Sequence, residues 1–100
     1  MKKWIYKITF PNGKIYVGMD LTGTFRYFGS WPSELVAADF TEEQQREFTI
    51  TREILWQSGD ASDAEVRQKE IEYIRALRSN EPEIGYNRWP KRQTNVRAAI

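Results

Sequence analysis

The chain contains no histidine and no cysteine, which removes imidazole and thiolate from the available nucleophiles, bases and zinc ligands. Any chemistry must therefore come from Tyr, Lys, Arg, Asp, Glu or Ser. Glu70 is the first candidate. On a helical wheel advancing roughly 100° per residue, Val66, Tyr73, Ile74 and Leu77 form one apolar stripe with Ile71 at its edge, and Glu70 falls near the middle of it. Glu65 and Glu72 lie off the stripe. A carboxylate on an apolar face is costly unless it is paired, hydrogen-bonded or bound to a cation. Three readings follow: half of a structural salt bridge to a buried Arg or Lys, a carboxylate that escapes at the rim of the core, or a functional carboxylate. Tyr6 and Tyr16 each read as strand packing residues when taken alone. Arg26, whose nearest acid in sequence is Asp20, reads alone as a solvated loop arginine, and Gly85-Tyr86-Asn87 as a closing turn.

The elements that must position these residues follow from periodicity and turn chemistry. Trp4, Tyr6, Ile8 and Phe10 alternate with other residues, the period-2 pattern of a half-buried strand. Pro11-Asn12-Gly13 supplies a turn, and Ile15, Tyr16 and Val17 resume the strand pattern, so a hairpin is expected over residues 3–19. A regular two-residue Asn12-Gly13 loop would send Tyr6 and Tyr16 to opposite faces. A shared site for both tyrosines therefore requires an odd-length loop or a β-bulge. Residues 20–32 read as an irregular connection. Ser33 is expected to cap a short helix through Phe40 with Leu35, Val36 and Phe40 inward, and Thr41-Glu42-Glu43 to start another. Phe48 to Gln57 reads as a third strand ended by Gly59-Asp60. Ser62-Asp63-Ala64-Glu65 has capping-box spacing and opens a long helix to about Arg78, with Asn80 and Pro82 beyond it. The sum is an α+β fold, a small antiparallel three-stranded sheet flanked by helices.

Composition bounds the rest. One hundred residues, 40% hydrophobic and 29% charged, suit a single globular domain, here residues 1–100. The formal charge of +1 gives no bulk attraction to nucleic acid. The cations nevertheless gather at the ends, with Lys2, Lys3, Lys7 and Lys14 before any acid, and Arg88, Lys91, Arg92 and Arg97 after Glu83. Ends that meet in the fold would form one basic surface; otherwise they are solubilising tails. No apolar run of about 18 residues spans a membrane, and Met1-Lys2-Lys3-Trp4 does not open a secretory signal. A cytoplasmic location is the expectation.

Together these features resemble the GIY-YIG nucleases. Trp4-Ile5-Tyr6 and, after nine intervening residues, Tyr16-Val17-Gly18 resemble the paired Gly-Ile-Tyr and Tyr-Ile-Gly motifs. Arg26 stands eight residues after Gly18, as the family arginine does; Glu70-Ile71-Glu72-Tyr73-Ile74 resembles its glutamate motif, and Gly85-Tyr86-Asn87 its closing motif. The likeness covers about residues 3 to 90. It departs at Trp4, where glycine is usual, and at Ser30, where some members carry histidine or tyrosine. Tyr27-Phe28-Gly29-Ser30 resembles a phage or homing-endonuclease branch whose arginine comes later, where this chain offers Arg46. The resemblance implies a stand-alone, metal-dependent DNA endonuclease. Tyr6, Tyr16, Arg26 and Asn87 would be catalytic, with Glu70 holding Mg2+ or Mn2+. Lys7, Lys14, Arg88 and Lys91 would flank the cleft and contact DNA phosphates, making affinity fall with salt. Specificity would come from a homodimer or a partner protein. The alternative is a non-cleaving nucleic-acid-binding or protein-interaction module on the same fold.

Overall fold

The alternating apolar pattern of the first residues does build strands. The computed structural model describes residues 2–23 and 31–91. Its elements are β1 (Lys3–Thr9), β2 (Ile15–Asp20), α1 (Ser33–Ala38), α2 (Glu42–Arg46), β3 (Thr51–Ser58) and α3 (Asp63–Leu77). The strands form one antiparallel sheet in the order β2-β1-β3. The α+β fold is the one expected.

The hairpin turns on an odd count. Phe10 donates its N–H to the Lys14 carbonyl, and Gly13 donates to the Phe10 carbonyl, both at 2.9 Å. Pro11, Asn12 and Gly13 thus make a three-residue loop, with Gly13 at φ 85°, a left-handed conformation that glycine adopts without strain. Tyr6 is thereby set opposite Gly18 and Ile8 opposite Tyr16. Paired residues share a face, as do residues two apart, so Tyr6 and Tyr16 project to the same side. The odd loop required for convergence is present. At the other end of β2, the buried Asp20 carboxylate fastens the chain by accepting from the Thr22 N–H and hydroxyl at 2.8 Å and the Gly23 N–H at 3.1 Å.

The first strand is not half-buried, because both faces of the sheet are covered. Tyr6, Ile8 and Phe10 pack with Val36 and Tyr86, surrounded by Trp31, Phe40, Phe48 and Ile50. Phe10 meets the rings of Trp31 and Tyr86 edge-on, at centroid distances of 5.3 and 5.0 Å. On the opposite face, Ile5 and Val17 pack against Val66 and Ile74 of α3. Each such side chain stabilises the fold by about 1.5–3 kcal/mol.

Three local expectations are corrected. Ser33 begins α1 instead of capping it; Pro32 is the cap residue, and Leu35 points outward at 42% exposure while Val36 is buried. The third strand starts only at Thr51, so Phe48 and Ile50 belong to the aromatic layer before it. A register shift against Ile5 and Tyr6 inserts Leu55 beside Trp56 on the α3 side, leaving Ile54 38% exposed. The helix starts hold better. Thr41 and Gln44 form a capping box on α2, and Ser62 and Glu65 the expected one on α3. Helix α3 ends when Arg78 turns left-handed at φ 60°, two residues before Asn80. Among the described residues, no helix is long and apolar enough to cross a membrane.

Candidate functional site

After α3 the chain returns to the free edge of β2. Ile15 donates to the Ile84 carbonyl at 3.1 Å and accepts from the Tyr86 N–H at 2.9 Å, a short parallel bridge centred on Gly85. A Cβ at Gly85 would overlap the Ser79 carbonyl and sit 2.6 Å from the Ile15 carbonyl oxygen, so only glycine permits this approach. Asn87 completes the attachment. Its Oδ1 accepts the Val17 N–H at 2.8 Å and its Nδ2 donates to the Val17 carbonyl at 2.7 Å. The side-chain amide thus substitutes for a neighbouring strand. The group that Asn87 positions is the main chain of β2.

Tyr86 belongs to a separate polar cluster. Its hydroxyl donates to Asp39 at 2.7 Å and accepts from Asn12 at 2.9 Å, while the Lys14 ammonium reaches the same Asp39 oxygen at 2.9 Å. Burial, reinforced by the bond to Asp39, pushes the Tyr86 phenol up to about 12. The Tyr86 and Lys14 donors hold Asp39 below the usual carboxylate range. Lys14 is therefore engaged in neutralising an acid.

Beside the β2 edge lies a cavity of about 350 Å³, lined by Tyr16, Pro32, Glu70, Ile74, Asn87, Arg88 and Trp89. It gathers four residues singled out in the sequence from three separate places: Tyr16 on β2, Glu70 on α3, and Asn87 with Arg88 on the returning segment. Glu70 is half-buried, and among the described residues no hydrogen bond or ion pair engages it. Desolvation raises its pKa above the usual value, against a smaller opposing pull from Arg67. The salt-bridge reading thus finds no partner among the described residues. Such a carboxylate suits a hard divalent cation that keeps most of its waters. Among the described residues no group of three or more His, Cys, Asp or Glu side chains could hold a metal ion, and Glu70 is the carboxylate among the described residues that line this cavity.

The other predicted residues divide. Tyr6 shares Tyr16's face but is only 1% exposed, its hydroxyl seated where a Cβ on Gly18 would lie. It is not part of the cavity wall. Arg26 and Ser30 fall outside the described residues, as do Arg92 and Arg97. Lys7 pairs with Glu53 of β3 at 3.2 Å, across β1 from the cavity, so the structure does not bring it to the cleft. Lys14 lines an adjoining cavity of about 440 Å³ that shares Asn87 and Arg88 with the first. Arg88 forms an ion pair with Glu34 of α1, and Lys91 lies 5.4 Å from the Trp89 ring centroid. Trp89 was missed. Its place directly after Asn87-Arg88 was the available signal, but sequence does not reveal that a tryptophan stays 65% exposed. No family model, curated protein or solved structure matches the chain.

Proposed function

We propose that the chain is a divalent-metal-dependent DNA endonuclease of the GIY-YIG type, hydrolysing phosphodiester bonds in the cavity beside β2. The observation that carries this reading is Glu70, a half-buried carboxylate without a partner among the described residues, sharing one cavity with Tyr16, Asn87 and Arg88. Glu70 would hold magnesium or manganese, which when bound supplies charge neutralisation at the phosphoryl oxygens and eases departure of the 3′ oxygen. Tyr16, a residue of the cavity wall, would handle the proton of the attacking water. Arg88 offers a planar fork to a phosphate once released from Glu34. Arg26 takes the family arginine's role on the resemblance alone. Tyr6 supports Tyr16's face from beneath, and Asn87 keeps β2 in place. A cytoplasmic location, and specificity supplied by a homodimer or partner, accompany this reading.

Burial of Tyr6 favours the second reading, a non-cleaving nucleic-acid-binding or protein-interaction module on the same fold, and the ion pairs that engage Lys7 and Lys14 favour its protein-interaction form. Supercoiled plasmid incubated with protein and magnesium separates the two. Nicking is expected from the native chain and its loss from Glu70→Ala. Binding without nicking by both would establish the second reading.

A further inference from the structure

Trp89 is the most exposed large hydrophobic residue described, at 65% against 42% for Leu35 and 38% for Ile54. An indole left in water at the wall of a polar cavity contributes nothing to the core, yet its backbone is held on both sides. Asn87 is bonded to Val17 and, through its N–H, to the Ser79 carbonyl at 3.0 Å; the Pro90 carbonyl accepts from Asn80 Nδ2 at 2.8 Å. The ring is thus displayed from an anchored segment. Two cations adjoin it: Arg88, ion-paired with Glu34, precedes it in the chain and lines the same cavity, and the Lys91 ammonium lies over the ring, 5.4 Å from its centroid.

We infer that Trp89 is a stacking platform for an unpaired nucleobase adjoining the phosphate in the Glu70 cavity, which makes the substrate class DNA with an unpaired strand: single strands, gaps or flaps. This rests on the nuclease reading and narrows it. An aromatic face flanked by cations matches a nucleotide, with the base on the ring and the phosphates toward the charges. An apolar protein partner would need a contiguous apolar patch, whereas this ring carries the Lys91 ammonium over it and follows the charged Arg88 in the chain. A base inside a duplex is already stacked on both faces and offers none to Trp89. Selection therefore falls on bases outside a duplex.

The test measures anisotropy of a labelled oligothymidylate and of a mixed-sequence duplex of equal length in metal-free buffer, alongside magnesium-dependent cleavage of a gapped duplex. The native chain should bind the single strand more tightly than the duplex. Trp89→Ala should lose between about fivefold and a hundredfold in single-strand affinity and little on duplex, while Trp89→Phe keeps most of it. Cleavage with Trp89→Ala binding both forms as the native chain does, or weakened equally on both, would overturn the platform and leave the nuclease reading standing. Absence of binding and cleavage on every substrate would overturn both.

Discussion

Glu70 sits one turn from Val66, Tyr73 and Ile74 on α3, where a charge is disfavoured unless something compensates it. Its raised pKa, caused first by desolvation, fixes the sign of a pH effect. In metal-free buffer the folded state retains a proton that the unfolded chain releases. Stability contributed by the protonated group is therefore full below the unfolded pKa and is lost as pH rises through the folded one. Glu70→Gln removes that titration. Melts at successive pH values should show the variant gaining on the native chain from acid to neutral pH and melting at least as high at pH 7. A salt-bridge role predicts the reverse, with the variant destabilised by about 3–5 kcal/mol. Gly18 matters at the same scale, since any side chain there would overlap the Tyr6 hydroxyl and disturb the face that carries Tyr16.

Beyond the Ile15 bridge, the edge of β2 is held at Val17 by the Asn87 side-chain amide. Asn87→Ala would leave the N–H and carbonyl of the fully buried Val17 without their partner, at a cost of about 2–4 kcal/mol in chemical denaturation. A change below about 0.5 kcal/mol would show that Asn87 does not hold the strand. This attachment was half legible: the resemblance singled out Asn87, as a catalytic residue, but nothing in the sequence said that Val17 receives its side chain. The hairpin was legible because apolar alternation resumes on either side of Pro11-Asn12-Gly13, and α3 because Ser62 and Glu65 stand at capping-box spacing. Strand β3 was legible as a strand but its Leu55 bulge was not, because the bulge depends on the register against β1, a property of two strands together. Glu70 stood out through periodicity within one helix. The basic residues could not be sorted in that way, since the acids that engage Lys7, Lys14 and Arg88 lie 25 or more positions away in sequence, as Lys14 and Asp39 do.

At the scale of the whole molecule, the sheet is a partition with an aromatic layer on one face and α3 on the other, and the cavity forms where both reach the β2 edge. This explains how Tyr16 and Glu70, which belong to opposite faces, come to share one space. With a net charge of +1, the proposed attraction to DNA would have to be local to this edge, since the total supplies none. The account rests on Glu70 as the cation ligand, and one paired measurement addresses it: melts of the native chain and Glu70→Gln with and without magnesium, with cleavage scored on the same samples. Binding to the folded state alone should raise the native melting temperature as magnesium is added. The variant should show no such rise and no cleavage, while staying as stable as the native chain without metal. An equal magnesium shift in both proteins, or a destabilised variant that still cleaves with magnesium, would contradict the assignment.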